Sequence, residues 1–306
     1  MSGGAVPGVS VFVPAWNDAA DLAACLESLR ALRYPRERLE VVVWDNGSTD
    51  GTGDRARAAF AVMRREGWHG LRVLRSERNE GAYVPYNLAE PSLADDTAYV
   101  LGLDADVEVA SDLLERLVAA ARGGDVAAVG ARSVYFDRPE RTAHGAGFVS
   151  RWSARYGERD PAEAVDCDYV IGCCWLLDRG AFRAVGGFDP GFFINHWEVD
   201  FCLRAKRAGW RVRYEPRAVV RHKVAPGGTR SPERLYYLYR NKLLMIRSSG
   251  WFPRPRLAAG LCAAMSAARI GADALVRRRA AETRASVRGL WDGLRGRRGA
   301  AAPARP

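Results

Sequence analysis

Three short segments carry the residues that could do chemistry. Asp104-Ala105-Asp106 closes the apolar run Ala98 to Leu103. In an extended chain, residues i and i+2 point to the same side. Both carboxylates can therefore face one hard cation, directly or through a water. A divalent ion held there can neutralise a diphosphate and stabilise it as a leaving group. The plain alternative is a solvated pair capping the helix that starts near Ser111. Glu198 and Asp200 lie in Phe192-Phe193-Ile194-Asn195-His196-Trp197-Glu198-Val199-Asp200. Aromatic and apolar neighbours would desolvate a carboxylate and raise its pKa, which suits a general base. Two acids in the first turn of a helix, favoured by its dipole, explain the same residues. His222 follows Ala218-Val219-Val220-Arg221. A neutral imidazole at a strand end can complete a metal site built on carboxylates, or it is a surface or core residue. His69 and His144 stand in polar contexts and suggest no role.

These residues need elements to hold them. Val9 to Val13 is an apolar run closed by Pro14 and predicts a buried strand. Leu22, Leu26, Leu29 and Leu32 recur at helical spacing, so Asp18 to Leu32 predicts an amphipathic helix that Tyr34-Pro35 ends. Leu39 to Trp44 predicts a second buried strand. Asp45-Asn46-Gly47-Ser48-Thr49-Asp50-Gly51 is turn chemistry, and a helix follows to about Arg65. Leu71 to Leu74 and Ala98 to Leu103 predict two more strands. Strands alternating with helices indicate a parallel α/β sheet. Ligands of such sheets bind at the carboxyl ends of the strands. Pro14-Ala15-Trp16-Asn17, the Asp45 to Thr52 turn and Asp104-Ala105-Asp106 all fall at such ends. They converge on one edge, where a nucleotide would lie. After about residue 125, short strands, Gly-rich turns and aromatics predict a mixed sheet through Val220 that completes the acceptor side. Ser231 to Ser248 reads as a helix, Arg254 to Arg298 as one or two basic amphipathic helices, and Ala300 to Pro306 as a frayed end.

The 306 residues suffice for one large domain with an appended helical segment. The net charge of +10 is uneven. From Arg254 onward there are 12 Arg, no Lys and 3 acids, a net of +9; the other 253 residues hold 34 basic and 33 acidic side chains, a net of +1. A uniformly basic nucleic-acid binder would not look like this. A local basic tail fits a membrane surface, an anionic acceptor or a partner; a packed helix with a solvated basic face fits equally. Six cysteines show no paired CxxC with His at zinc spacing, which reads as buried thiols in a reduced compartment. Met1 to Gly8 is short, polar and Gly-rich, unlike a signal peptide. No apolar run reaches the roughly 20 residues that span a bilayer; Leu257 to Ala268 stops short at Arg269. The expectation is a cytoplasmic protein, peripheral on the inner face of the cell membrane if the tail binds lipid.

The ordered motifs closely resemble family 2 glycosyltransferases, particularly their rhamnosyltransferase-like branch. The resemblance runs from about Val9 to Met245. It rests on Val9 to Asn17, the Asp45 to Thr52 run, Arg78-Asn79-Glu80-Gly81 with Asn87, Asp104-Ala105-Asp106, Val185 to Asp189 leading to Phe192-Phe193, Glu198-Val199-Asp200 with Arg204, His222, and Tyr237 with Arg240-Asn241. It implies a GT-A fold: a Rossmann-like nucleotide-binding half (1-125) merged with a mixed-sheet acceptor half (126-250), followed by the basic helical segment 251-306. It implies a metal-dependent inverting transfer from a dTDP- or UDP-linked sugar, rhamnose leading, to a glycan, lipid-linked sugar, peptide or secondary metabolite. By carry-over, Pro14, Trp16, Asn17, Asp45 and Asn46 would line the base and ribose pocket. Asn79 and Gly81 would shape a loop over the nucleotide, and Gly172 would border the sugar. Asp104 would bind ribose and, with Asp106 and His222, a Mn²⁺ or Mg²⁺ ion. Glu198, with Asp200 beside it, matches the catalytic base; Trp197 is either a stacking platform for the acceptor or a packing residue, and Arg240 would meet the acceptor. The family often has Glu-Asp where this chain has Trp197-Glu198, so the base is one methylene longer. No Gln-x-x-Arg-Trp follows, which implies one sugar per encounter. The alternatives are a non-catalytic sugar-nucleotide or glycan-binding module on the same fold, and a dinucleotide-dependent oxidoreductase. The latter needs G-x-G-x-x-G after the first strand, and Pro14 to Asp18 lacks it.

Overall fold

Alternation along the first apolar run sets the layering. In β1 (Gly8–Ala15), Val9, Val11 and Val13 face one side of the sheet and Phe12 the other. Leu22, Leu26 and Leu29 of α1 (Ala19–Arg30) and Ala56, Phe60 and Met63 of α2 (Thr52–Arg65) cover the valine side. On the other side Phe12 and Val42 meet an aromatic layer of Tyr86, Trp175, Phe188 and Trp197. Each such fully buried side chain contributes roughly 1.5–3 kcal/mol.

The computed structural model describes residues 6–224, 231–277 and 279–301. After α1 and β2 (Leu39–Asp45) come α2, β3 (Gly70–Arg75), α3 (Val84–Ala89), β4 (Thr97–Leu103), β5 (Val107–Val109) and α4 (Leu113–Ala121). The second half holds β6 (Val126–Tyr135), β7 (Arg138–His144), β8 (Ala146–Val149), β9 (Tyr156–Arg159), β10 (Val165–Asp166), β11 (Cys174–Asp178), α5 (Arg179–Val185), α6 (Trp197–Arg207) and β12 (Arg211–His222). Three helices close the chain: α7 (Pro232–Ser248), α8 (Pro255–Arg277) and α9 (Ala280–Leu294).

One ten-stranded sheet joins both halves, in the order β10-β12-β6-β11-β4-β1-β2-β3, with β5 on β12 and β7 on β6. The strands β4, β1, β2 and β3 are parallel. β11 runs antiparallel between β4 and β6 and makes the second half mixed, as the sequence predicts. Parallel register brings the carboxyl ends together: Ala15 lies opposite Asp45, and Asp45 opposite Arg75.

The C-terminal segment is not a loose tail. Gly289 and Gly293 bring α9 against the backbone of Tyr236 and Arg240 on α7, and Tyr236 Oη donates to Asp292 at 2.8 Å. The Gly299 amide donates to Gly191 O at 2.7 Å, and Ala301 N to Tyr237 Oη at 2.8 Å. The expected frayed end is therefore tied down at Ala301; 302–306 lie outside the described residues. A second expectation is corrected at α8. Within α8, Pro255–Val276 is a helical stretch of 22 residues with mean hydropathy 1.3, long and apolar enough to cross a membrane. Arg269 lies inside that helix and does not end it.

Candidate functional site

Asp104 leaves the carboxyl end of β4, its amide donating to Cys173 O at 2.9 Å just before β11. Asp106 leads into β5, and antiparallel pairing of β5 with β12 sets Val107 opposite His222. His222 is thereby brought to Asp106, Nε2 to Oδ1 at 3.2 Å. One ligand atom from each of Asp104, Asp106 and His222 lies within 4.8 Å of the others. His222 Nδ1 is buried without a partner. Burial, then the Asp106 charge, raises the Asp104 pKa. Burial also works against ionised Asp106, but the hydrogen bond and charge of His222 outweigh it and lower its pKa. Burial opposes the His222 cation; Asp106 and Asp104 outweigh it and raise its pKa. Two carboxylates and an imidazole of this mixed charge fit a divalent cation.

Glu198 reaches the same place from the other side. It lies in the first turn of α6, after Asn195 and His196, both left-handed at φ +64° and +65°. Such conformations cost non-glycine residues about 1–3 kcal/mol and persist where the surroundings impose them. Asn241 on α7 imposes this one, its amide donating to Ile194 O at 2.6 Å and Asn195 O at 3.1 Å. At Gly172 a Cβ would lie 2.9 Å from the Trp197 ring and 3.7 Å from Glu198 Cβ. Gly172 thus lets α6 lie directly on the segment whose next carbonyl, Cys173, holds Asp104. Glu198 keeps partial exposure, yet its Oε2 is buried without a hydrogen bond. Burial, with a smaller push from Asp104 and Glu158, raises the Glu198 pKa to about 7.

The loops at the ends of β1 to β3 form the adjoining wall. Asp45 is fully buried, accepts from Ser48 N at 2.9 Å and pairs with Arg75. Asn46 Nδ2 donates to Asn79 Oδ1 at 3.1 Å and Gly81 O at 3.0 Å, while its Oδ1 accepts from Glu80 N at 3.0 Å. Gly81 has φ +90° and would place a Cβ 2.5 Å from Phe193 O, so only glycine fits. Asn17, at φ +56°, accepts from Thr49 N at 2.9 Å. Pro14 is half-buried, and Trp16 stands 50% exposed beside it, an uncovered ring available for stacking.

Three expected site residues are placed differently. Asp200 is wholly buried, with Oδ2 bonded to Arg204 Nε at 2.7 Å and Oδ1 to Ser248 Oγ at 2.8 Å. Both oxygens are engaged, so it locks α6 to α7 and does not face a substrate. Removing it strands the Arg204 charge. Asp200→Ala is expected to cost about 3–5 kcal/mol of stability, read as a lower thermal unfolding midpoint. Arg240 is 1% exposed, donates to Gly299 O at 2.6 Å and lies 4.7 Å over Tyr237. It fastens the chain end. Trp197 is buried among Phe188, Trp175 and Tyr86, with centroids 4.8 to 5.8 Å away, and packs there instead of offering a stacking surface. The residue that local patterning misses is Arg234. From the first turn of α7 its charge acts on Asp104, Asp106 and His222. All six cysteines are free and buried, as expected.

The family model described as Glycosyl transferase family 2 matches residues 10–186. The chain is 28% identical over 224 residues to Glycosyltransferase AglE of Haloferax volcanii, covering 73% of this chain and 69% of that protein. It is 29% identical over 255 residues to the N-acetylglucosaminyl-diphospho-decaprenol L-rhamnosyltransferase of Mycobacterium tuberculosis, covering 74% of this chain and 81% of that one. In structure it resembles the mannosyltransferase PcManGT from Pyrobaculum calidifontis, solved with GDP-Man and Mn²⁺, at TM-score 0.62 and 20% identity over 94% of this chain and 87% of that one. It also resembles S. aureus TarS 1-349 solved with UDP-GlcNAc, at TM-score 0.63 and 17% identity over 94% and 81%. These similarities show the GT-A-like fold.

Proposed function

Because the chain belongs to glycosyltransferase family 2 and is a glycosyltransferase, we propose that it performs an inverting, metal-dependent transfer of one sugar per encounter from a nucleoside diphosphate carrier. The observation that carries this reading is the meeting of Glu198, with a buried unpartnered carboxylate oxygen, and the Asp104, Asp106 and His222 cluster across the 172–173 segment.

The loops after β1, β2 and β3 receive the nucleotide. Trp16 offers a face for the base, and the bonded set Asn17, Asp45, Asn46, Asn79 and Gly81 gives the pocket its shape. Asp104 reaches the ribose, and Gly172, by admitting the Trp197 ring, keeps Glu198 close to the sugar. Asp104, Asp106 and His222 would hold Mn²⁺ or Mg²⁺. When bound, the cation neutralises the charge that develops on the diphosphate as it leaves. Arg234 adds positive charge to the same region. Glu198 removes the acceptor hydroxyl proton as the acceptor oxygen bonds to the anomeric carbon from the side opposite the leaving diphosphate. The bond from the anomeric carbon to the diphosphate oxygen breaks at the same time, and its electron pair leaves with the nucleoside diphosphate. A hydroxyl is a poor nucleophile, and a positioned base is worth about 10²–10⁴-fold.

Similarity to the mycobacterial L-rhamnosyltransferase favours a dTDP- or UDP-linked donor, rhamnose first, and a glycan or lipid-linked acceptor. Slow donor hydrolysis tests this without the acceptor. Nucleotide sugars are incubated one by one with manganese or magnesium. One thymidine- or uridine-linked sugar is expected to release its diphosphate, and release is expected to stop with EDTA. No turnover of any donor with either metal would refute the reading.

A further inference from the structure

We infer that α8 is a membrane-interface helix, which lays one apolar side into the surface of an anionic bilayer while its other side stays packed on the protein. The face belongs to α8 and stands whether or not the transfer reading holds.

At 3.6 residues per turn the helix divides cleanly. Ala258, Ala259, Cys262, Ser266 and Ile270 are buried against the body. Opposite them runs a stripe about 120° wide, at the helical repeat, from Leu257 to Leu275. Leu257, Leu261 and Met265 are exposed by 48, 44 and 39%, and Leu275 by 80%. Ala264, Ala268, Gly271 and Ala272 fill the positions between. No charged residue falls on this stripe over five turns. A solvated helix would carry its charges there. Arg269 instead lies at the edge of the packed row, and Asp273 within it, beside Leu235, Tyr239 and Ile270.

Charge at the start of the helix identifies the occupant. Arg247, Arg254 and Arg256 line an open groove of about 820 Å³ with Pro255 and Leu257, where the apolar stripe begins. Apolar side chains immersed beside arginines match acyl chains beneath anionic headgroups. Length and hydropathy alone also allow a span. The buried row from Ala258 to Ile270 argues for an in-plane pose, because crossing would strip that row from the protein.

The full chain is floated with vesicles of phosphatidylcholine alone or mixed with phosphatidylglycerol. It is expected to float with the mixed vesicles and poorly with the neutral ones. Arg254→Glu with Arg256→Glu is expected to weaken flotation by about fivefold or more per changed charge. Leu257→Glu, Leu261→Glu and Met265→Glu together are expected to weaken it by at least about tenfold. Leu257→Ala, Leu261→Ala and Met265→Ala together serve as the milder version, and unfolding midpoints near that of the parent show that the variants fold. Failure of the parent to float, or equal flotation of parent and variants, would overturn the inference. So would resistance to alkaline carbonate extraction, which marks a spanning helix. A dimer in light scattering that the Glu variant dissociates, without vesicle binding, would give the face to a second copy and likewise overturn it.

Discussion

Glu198→Gln is expected to lower kcat for sugar transfer by about 10²–10⁴-fold while nucleoside diphosphate binding stays unchanged. The substitution keeps the size of the side chain and removes its ability to accept a proton. A second consequence separates a base from a merely structural carboxylate. Burial raises the Glu198 pKa from 4.5 to about 7. The folded state therefore holds this proton more tightly than the unfolded state does. Between those two values the folded chain binds more protons, so stability from this group falls as pH rises, and is lowest above about 7. Glu198→Gln is then expected to raise the unfolding midpoint at pH 8 and to leave it nearly unchanged at pH 4. In the parent, kcat/KM is expected to rise with pH through about 7, and the variant is expected to lose that limb. Transfer at the parental rate would exclude Glu198 as the base.

The second large effect is loss of the divalent cation. Chelation with EDTA is expected to reduce transfer by about 10³-fold or more, since charge stabilisation by a metal amounts to several kcal/mol in the transition state. Manganese or magnesium is expected to restore it. His222→Ala removes one of three ligand positions and is expected to raise the manganese concentration needed for half activity by about 10-fold or more. Excess manganese is expected to recover much of the rate. Asp106→Ala is expected to be less recoverable, because it removes a charged ligand position that also approaches His222 Nε2 at 3.2 Å. Full activity in EDTA would remove the cation from the account.

The parallel half of the fold is legible in the sequence because its signals are local. Val9 to Val13 alternates between two buried layers, and the leucines of α1 recur at one helical face. Turn chemistry marks the strand ends where the site forms. The convergence of Asp104, Asp106 and His222 needs more than local patterning, since the pairing of β5 with β12 creates it. Trp197, Asp200 and Arg240 are all buried and engaged inside the protein. An aromatic, an acid and an arginine near a site invite functional roles, but tertiary burial decides. The spacing of Asp200 and Arg204, four apart in a helical segment, is the signal that could have assigned that acid to an internal pair. Arg234 has no such signal, because only the return of α7 brings it near. Arg269 misled in another way: a lone arginine reads as the end of an apolar run, yet a helix tolerates it at its flank.

The central claim is that Glu198 and the Asp104, Asp106 and His222 cluster serve one centre at the carboxyl ends of the parallel strands. A crystal structure with manganese and the preferred nucleoside diphosphate tests this directly, through the anomalous signal of the metal. The predicted result is a peak bonded to Asp106 and His222, the nucleotide lying along the loops after β1 to β3, and the Glu198 carboxylate open to the same cleft. A metal bound elsewhere, or a nucleotide lying away from Glu198, would contradict the account.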